Sequence, residues 1–406
     1  MTEPVDFDVI VIGAGPAGLT AAMRLNDAGY RCAVFERDAL VSAKLPETIP
    51  GLDCIVNRNF PGVNLQAAKW KSTRVEFMDH NFVTRTRLDL SSFGDDGAST
   101  VRVSRSELDA ALRAEAIRRG LDVRCMSPVL EVSGLDGGDS PVTVQIGGST
   151  GQTYTARVVV DASGKMSFLS RARDWIKLGK TLDDRVGVFS HFTWSESNEL
   201  TESATMRLVE VPDGYVFVIP VAQGRVSVGA VVSCGSKAAL RSSPEETFAD
   251  VVHEIPRLES ALSQAERKLP YLRPINAEYT SEVPLGPRHV VIGDAVAFAD
   301  PFFDRGFEFA VVSGEIASGV VADLLTDGVH DSSYAATLMI ALDEIRQRAA
   351  TARPYLPARA FVDPHLPWFV PLAAAVTRTG SIRPSNSGDD GQLFDMVQSA
   401  RDNFSA

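Results

Sequence analysis

Two hydrophobic patterns alternate along the chain and predict two kinds of β-sheet. Continuous apolar runs rich in valine and isoleucine, such as DVIVI at residues 8–12 and HVVI at 289–292, are typical of buried parallel strands. Alternating apolar and polar residues, as in RVEFMDHNFVTRTRLD at 74–89, predict an antiparallel hairpin with one exposed face. The sequence therefore predicts a parallel α/β region and a separate antiparallel region.

Helical spacing occurs in four places between these strands. Apolar residues recur every three or four positions directly after the first strand, in residues 104–119, in a proline-broken pair at 243–262, and in 306–325. Ser104 and Glu107 have the spacing of a capping box, and we expect them to begin the second of these helices.

Composition narrows the choice of partners. The 406 residues carry a net charge of −12, so neither nucleic acid nor an anionic membrane is an expected partner, because both attract positive surfaces. The chain has no signal-peptide pattern and its apolar runs look too short to cross a bilayer, which predicts a cytoplasmic protein without a membrane span. The four cysteines and six histidines lack metal-ligand spacing, so no metal site is predicted.

A glycine-rich turn follows the first predicted strand. The letters GAGPAG place Gly13, Gly15 and Gly18 in GxGxxG spacing between a strand and a helix. Gly13 permits the tight turn, Gly15 lets the backbone approach a pyrophosphate, and Gly18 lets the helix pack closely on the strand. Helix N-termini attract phosphate through their free N–H groups. We therefore predict a dinucleotide site here, with Pro16 and Ala17 inside its loop.

The second strand supplies an acidic residue at its end. Glu36 lies where a carboxylate accepts hydrogen bonds from a ribose hydroxyl and disfavours a 2′-phosphate. Arg37 follows it directly and is predicted to contact the same cofactor. The motif alone does not separate FAD from NAD, and a purely structural turn is the alternative.

Two later segments carry a resemblance to a known group of flavoproteins. VVVDASGKMSFLSR and HVVIGDAVAFADPFFDRGFEFA each place small residues and an aspartate directly after a strand. With the opening motif, they resemble the three cofactor segments of FAD-containing monooxygenases of the two-domain glutathione-reductase-like fold. The resemblance implies that FAD is the cofactor and that these further residues contact it: Arg105, Asp161, Gly164, Gly293, Asp294, Pro301, Gly306 and Phe307.

The patterns and the resemblance together define an expected architecture. We predict an α/β fold with a Rossmann-like FAD-binding domain, an inserted antiparallel β-sheet domain for the substrate and a helical C-terminal region. The predicted boundaries are 1–60, 96–172 and 285–330 for the FAD-binding domain, 61–95 and 173–284 for the substrate domain, and 331–406 for the C-terminal region.

The middle of the chain is similar to flavin-dependent halogenases and, more weakly, to geranylgeranyl-reductase-like flavoproteins. DGYVFVIPVAQGRVSVGAVVS resembles the halogenase segment Trp-x-Trp-x-Ile-Pro, with Tyr215 and Phe217 in place of the tryptophans. LPETIP, which contains Glu47, lies where halogenases have Gly-Glu-Ser followed by a proline. Tyr215 and Phe217 are predicted to line the substrate cavity together with His191 and Trp194.

Three residues are predicted to act near the reaction centre: Glu47, Arg305 and Lys71. Halogenases carry a lysine five residues before a phenylalanine, whereas Lys71 precedes Phe77 by six and Ser72 occupies the matching place. The acidic neighbour of Arg305 would repel a halide ion. These departures favour a hydroxylating monooxygenase over a halogenase.

The sequence therefore predicts an FAD-dependent monooxygenase of a biosynthetic tailoring pathway, hydroxylating an aromatic or other electron-rich substrate through a flavin C4a-hydroperoxide. The alternatives are a flavin-dependent halogenase, a geranylgeranyl-reductase-like reductase or dehydrogenase, and a non-catalytic flavoprotein. The substrate is expected to be a small molecule or an aromatic group held on a carrier or a peptide. Since no second GxGxxG is present, electrons are expected from a separate flavin reductase or from transiently bound NAD(P)H.

Overall fold

The computed structural model describes most of the chain up to residue 326. The described residues are 4–39, 46–49, 52–65, 69–71, 74–89, 101–148, 151–178, 185–196, 198–201, 205–222, 224–241, 243–273, 279–298 and 306–326, with 336, 337 and 340. The predicted C-terminal region of 331–406 therefore lies outside the described residues apart from three positions. Pro301 and Arg305 lie outside them as well.

The described residues form the following elements. The strands are β1 (Phe7–Ile12), β2 (Cys32–Phe35), β3 (Glu47–Ile49), β4 (Lys69–Lys71), β5 (Arg74–Met78), β6 (Thr84–Asp89), β7 (Val101–Val103), β8 (Asp122–Arg124), β9 (Val129–Ser133), β10 (Val142–Ile146), β11 (Thr153–Asp161), β12 (Ile176–Leu178), β13 (Arg185–Thr193), β14 (Thr205–Val211), β15 (Gly214–Ala222), β16 (Arg225–Ser233), β17 (Glu266–Arg267), β18 (Tyr279–Ser281), β19 (Leu285–Gly286), β20 (His289–Val291) and β21 (Ala297–Phe298). The helices are α1 (Pro16–Asp27), α2 (Leu52–Asn59), α3 (Arg105–Arg118), α4 (Phe168–Ala172), α5 (Pro244–His253), α6 (Pro256–Leu262) and α7 (Gly306–Thr326).

A mainly parallel sheet contains the glycine-rich turn, with the strand order β19-β20-β11-β1-β2-β8. β1 lies at its centre and pairs in parallel with β11 on one side and β2 on the other. Both β1 and β2 are short apolar runs, which suit strands that are covered on both faces. The carboxyl ends of β1, β2, β11 and β20 meet at one edge, where open sheets of this kind bind ligands. The predicted Rossmann-like arrangement is confirmed.

Alternate residues of β1 contact two different layers. Val9 and Val11 pack with apolar residues of α1, α3 and α7. Ile10 and Ile12 point to the opposite face and pack with β9 and β10, which extend the sheet through antiparallel pairing with β11. Successive side chains of a strand alternate between faces, so one six-residue strand anchors both halves of the core.

A glycine allows the helices α1 and α7 to approach closely. A methyl group added at Gly314 would lie 2.5 Å from the carbonyl oxygen of Ala17 and 3.0 Å from Cβ of Thr20. Such contacts are shorter than van der Waals distance, so a side chain at Gly314 would force the two helices apart. The glycine turn before α1 and the start of α7 are therefore held as one unit.

The second large sheet has the strand order β17-β13-β16-β15-β14-β5-β6. The predicted hairpin of β5 and β6 is present, and β13, β14, β15 and β16 pair in antiparallel fashion. One pair departs from the prediction, because β5 and β14 run parallel. These two strands come from distant stretches of the chain, so no short hairpin turn requires them to be antiparallel.

Helices α5 and α6 cover one face of this second sheet. The covered face carries Val188, Val216, Val228 and other residues of the same parity, which pack with Phe248 of α5. The opposite face, which we call the open face of the sheet because neither helix covers it, carries the intervening residues of β13, β15 and β16. In β14 the numbering is reversed, so Val209 lies on the covered face and Leu208 on the open face. Two smaller sheets, β3-β7-β4 and β12-β18-β21, link the regions. The second of these crosses the predicted domain boundary at residue 284.

Two sequence-based expectations about helix ends and length are corrected. Ser104 is the N-cap residue of α3 but its side chain makes no capping hydrogen bond. The partner expected in the capping box, Glu107, instead accepts a hydrogen bond of 3.0 Å from Arg225 of β16. Helix α7 is long and apolar enough to cross a membrane, contrary to the expectation, but 78% of that stretch is buried inside the protein, as in a core helix.

Replacing Gly314 with valine is expected to lower the free energy of unfolding by about 2–3 kcal/mol, because the side chain overpacks the α1–α7 contact. Chemical denaturation of the purified protein measures the change. Thr326→Ala, at the exposed end of the same helix, serves as the control and should change stability by less than about 0.5 kcal/mol. Equal stability of Gly314→Val and the parent protein would contradict the close packing.

Candidate functional site

The glycine-rich turn is built as the sequence predicts. Gly13 has a φ of 102°, and a methyl group added there would lie 2.5 Å from the carbonyl oxygen of Ala162. Gly18 packs against the carbonyl of Gly13, so a side chain on either residue collides with backbone. Both glycines are therefore explained by the fold itself.

Two other glycines are not explained by the fold. Gly15 has an ordinary φ of −80°, and a methyl group added there would meet nothing within 4 Å. Gly306, at the start of α7, likewise has no positive φ, and at both glycines no atom of the described residues lies within 4 Å of such a group. Each lies at the N-terminal end of a helix, where free backbone N–H groups carry partial positive charge. The space above these residues fits a ligand whose negative groups approach the backbone closely.

Glu36 lies beside the turn that contains Gly15. Its Oε2 accepts a hydrogen bond of 2.8 Å from the backbone N–H of Ala14, and its Oε1 accepts one of 2.9 Å from Asp38. The carboxylate therefore lies beside the glycine turn at the end of β2, as predicted. Arg37 is exposed and its guanidinium contacts Asp38 at 3.3 Å.

Glu47 joins three distant chain segments at the start of α7. Its Oε2 accepts a hydrogen bond of 2.5 Å from Arg105 of α3, and its Oε1 accepts one of 3.1 Å from the backbone N–H of Phe307. Only 10% of each of the Glu47 and Arg105 side chains is exposed. Glu47 was predicted to act in catalysis, and the structure places it as a link between β3, α3 and α7.

Arg105 is held from two sides. Asp109, one turn further along α3, accepts a hydrogen bond of 3.1 Å from Nε of Arg105, and the guanidinium also lies 5.4 Å from the ring centre of Phe307. Burial alone would lower the pKa of Arg105, but the charges of Asp109 and Glu47 outweigh it and raise the pKa. Arg105 is therefore a permanent cation beside the start of α7. Asp109 was not predicted as a site residue, because its role depends on its contact with Arg105.

The two later cofactor segments lie at the carboxyl edge of the parallel sheet. Asp161 is fully buried and accepts hydrogen bonds of 3.0 and 2.7 Å from the backbone of Ser163 and Leu169. Burial raises the pKa of Asp161, and those hydrogen bonds oppose the shift. The aspartate shapes the turn that contains Gly164, and its carboxylate is engaged with the backbone.

Gly293 lies directly opposite α1. It has a φ of 60°, and a methyl group there would lie 3.0 Å from Cβ of Ala17. Its neighbour Asp294 accepts a hydrogen bond of 2.6 Å from Tyr279 through the backbone carbonyl. The segment after β20 is therefore brought against the N-terminal turn of α1, as the predicted site requires.

The open face of the second sheet carries a buried aromatic group. Tyr215, Phe217 and Phe189 belong to it, and all three are buried. The ring of Phe217 lies across Gly229, where any side chain would collide with it. His191 lies on the same face, and its ring centre is 6.1 Å from that of Phe189.

Trp194 does not belong to this group, which corrects its predicted role. Its indole N–H donates a hydrogen bond of 2.9 Å to the carbonyl of Ala261 in α6. It packs with the helix-covered face of the sheet. Trp194 follows His191 by three positions, and an odd step along an extended strand turns the side chain to the other face.

The remaining predicted catalytic residues lie at the limit of the described structure. Arg305 falls outside the described residues. Lys71 lies in β4, whose backbone pairs with β7, while β7 pairs on its other edge with β3. The strand of Lys71 therefore belongs to the same three-stranded sheet as Glu47.

Comparison with known proteins agrees with this geometry. The family model described as "FAD binding domain" matches residues 6–311. The 1H-pyrrole-2-carbonyl-(peptidyl-carrier protein) chlorinase of Pseudomonas fluorescens is 29% identical over 361 residues, covering 81% of this chain and 78% of that protein. The menaquinone reductase of Mycolicibacterium smegmatis is 28% identical over 352 residues, with the same two shares. The crystal structure of the flavin-dependent halogenase CmlS is similar with a TM-score of 0.72 at 22% identity, covering 96% of this chain and 69% of that one.

Gly15→Val is expected to weaken FAD binding at least about 100-fold while leaving the fold intact, because its side chain enters open space where the pyrophosphate would lie. Titration of the apoprotein with FAD, followed by flavin fluorescence, measures the change. Gly18→Val is the contrasting variant, since its side chain collides with the Gly13 carbonyl and should destabilise the protein. Unchanged FAD affinity of a folded Gly15→Val protein would show that FAD does not bind at this turn.

His191 is expected to stay neutral down to a pH near 4. Burial, with a smaller contribution from the nearby charge of Arg225, lowers its pKa to about 4. In the unfolded chain the ring takes up a proton near pH 6.5, whereas in the folded protein it stays neutral. Above pH 6.5 the ring is neutral in both states and does not reduce the stability of the fold. That stability falls by about 3 kcal/mol as the pH drops from 6.5 to 4.

Titration of the histidine ring signals by NMR measures this pKa. His253 is the internal control, since its hydrogen bond with Glu259 raises its pKa above 6.5. A His191 signal that titrates at or above 6.5 would contradict the burial of its ring.

Proposed function

This chain belongs to the FAD-binding domain family, and on that premise we propose that it is a flavin-dependent halogenase that acts on an electron-rich aromatic ring. It is an FAD-dependent oxidoreductase of the halogenase-like group. The single observation that carries the finer proposal is the relation to the pyrrolyl-carrier chlorinase, which runs along 81% of the chain. Halogenation, stated above as the alternative, is thus preferred to hydroxylation.

The residues of the crevice fit FAD. The open backbone at Gly15 and Gly306 would accommodate its negative groups, and Glu36 lies where a ribose hydroxyl would bind. Arg105, held in place by Glu47 and Asp109, would present guanidinium donors near the start of α7, while those two carboxylates offset its charge. When bound and reduced, FAD supplies the oxidising chemistry through its reaction with oxygen.

The open face of the second sheet would position the ring of the substrate. Tyr215, Phe217 and Phe189 offer buried aromatic surface, on which another aromatic ring stacks with favourable energy. The aromatic surface also excludes water, which protects reactive oxidants from hydrolysis. Tyr215 and Phe217 stand where the halogenase segment has its two tryptophans, and they keep an aromatic ring at each place with less area than an indole.

The strand β4 supports a role for lysine. Halogenases resembling this chain use a lysine upstream of a strand, and Lys69 and Lys71 lie in β4, in one sheet with Glu47. Lys69 is aligned with Glu47 across β7, since both pair with Val103. We propose that one of these two lysines takes the place of the halogenase lysine in spite of its shifted spacing.

The substrate is proposed to be a small aromatic compound, free or attached to a carrier protein. Two curated relatives act on a pyrrole carbonyl group held by a peptidyl-carrier protein. Electrons are proposed to come from a separate flavin reductase or from NAD(P)H.

A second candidate function is the reduction of an isoprenoid or quinone double bond. The menaquinone reductase relative covers as much of the chain, at 28% identity, as the chlorinase does. The aromatic face of the sheet would serve an apolar isoprenoid chain as well as an aromatic ring.

Halide-dependent product formation is the expected result when the FAD-loaded enzyme is supplied with reduced flavin, air and bromide. The substrates to test are pyrrole-2-carbonyl loaded on a carrier protein and a set of free phenols and indoles, with products identified by mass and isotope pattern. Lys69→Ala and Lys71→Ala should each keep FAD, and one of them should lose at least about 100-fold in turnover.

The competing functions give different products in the same assay. Insertion of oxygen that does not depend on halide would indicate a hydroxylase. Reduction of menaquinone without oxygen would indicate the second candidate. Full turnover of both lysine variants would show that neither lysine has the role of the halogenase lysine.

A further inference from the structure

Two polar atoms on the open face of the second sheet have no hydrogen-bond partner among the described residues. They are Nε2 of His191 and the hydroxyl oxygen of Ser227. The side chain of Ser227 is completely buried and His191 is 7% exposed. A buried polar atom without a partner destabilises the fold, so protein interiors retain few of them without a reason.

The register of the strands brings these two residues opposite each other. His191 of β13 lies directly opposite Ser227 of β16, and Ile219 of β15 lies on the other side of Ser227. Directly opposite residues of an antiparallel pair have Cβ atoms about 5 Å apart. The two polar side chains therefore form one polar pair, and Phe189 and Phe217 meet across Gly229 one step further along the same face.

This face is turned toward the crevice of the parallel sheet. Arg225 precedes Ser227 by two positions on β16 and shares its face. Its guanidinium donates a hydrogen bond of 3.0 Å to Glu107 in the first turn of α3. That turn begins with Arg105, which Glu47 connects to the start of α7. The polar pair therefore belongs to the side of the sheet that borders the residues fitting FAD.

The chemistry of the pair selects for a particular group. A neutral imidazole nitrogen accepts one hydrogen bond, and a serine hydroxyl both donates and accepts. A hydroxyl on an aromatic ring would donate to Nε2 of His191 and accept from Ser227, and a ring N–H would donate to one of the two atoms. An ether would leave Nε2 of His191 unpaired, and an N-methyl group would leave both atoms unpaired.

We propose that His191 and Ser227 are the specificity-determining pair for the substrate, and that they bind an aromatic ring carrying a hydroxyl or a ring N–H. This inference rests on the proposed function, because it assigns the class of ring that the open face receives. Donation of the ring hydrogen to His191 also increases electron density on the ring, which favours attack on an electrophilic halogen. His191 is thus the acceptor, and the aromatic side chains beside it form the surface against which the ring packs.

Equilibrium binding to the FAD-loaded protein, without halide or reductant, tests this assignment. The probes are phenol with its ether anisole, and pyrrole with N-methylpyrrole, titrated by ligand-observed NMR. The parent protein should bind each donor about three- to tenfold more tightly than its methylated partner. Ser227→Ala and His191→Phe should each remove most of that preference.

Thr205→Val is the matched control. Thr205 is also completely buried with a side-chain oxygen that lacks a partner among the described residues, but it lies on the helix-covered face. Its replacement should leave the probe preference unchanged. Both Thr205→Val and Ser227→Ala should keep or raise the melting temperature, since each removes an unpaired buried hydroxyl.

The outcomes separate this inference from the proposed function. Equal binding of donor and methylated probes by the parent protein, or an unchanged preference in both Ser227→Ala and His191→Phe, would overturn the assignment, and would indicate that ordered water fills the pair. If both variants lose the preference but the enzyme yields no halogenated product, the role of the polar pair in binding is supported and only the proposed halogenation is refuted.

Discussion

One buried carboxylate fixes the geometry of the crevice. Glu47 accepts from a guanidinium on one side and from a backbone N–H at the start of α7 on the other. A buried charge is tolerated only when its partners satisfy it, and removal of one partner of such a pair typically costs 3–5 kcal/mol. Three segments far apart in the sequence therefore take up their positions together.

The parts of this protein that could be predicted from sequence are those that local rules determine. The turn from β1 to α1 needs glycine at Gly13 and Gly18 for steric reasons that operate within a few residues. The same motif predicted a dinucleotide site, and the family resemblance identified the cofactor as FAD, which the match to the FAD-binding domain family confirms. The position of Glu36 beside the turn could also be predicted, because the length of β2 fixes its distance from the turn.

Long-range contacts account for what the sequence did not predict. Glu107 has the spacing of a capping residue, yet the partner that binds it, Arg225, is 118 positions away. The parallel pairing of β5 with β14 depends on two stretches that no turn connects. Ser227 carries no motif, and its role is visible only once β13 and β16 are paired. Trp194 is different, since counting odd and even positions from His191 would have placed it correctly.

The close contact of α1 with α7 at Gly314 has a consequence for how the cofactor is acquired. Because this contact packs the helix that follows Gly15 against the helix that begins at Gly306, protein packing alone fixes the relative position of the two helix starts at which the cofactor is proposed to bind. Uptake then requires no closing movement between these helices, and little entropy is lost by the protein on association.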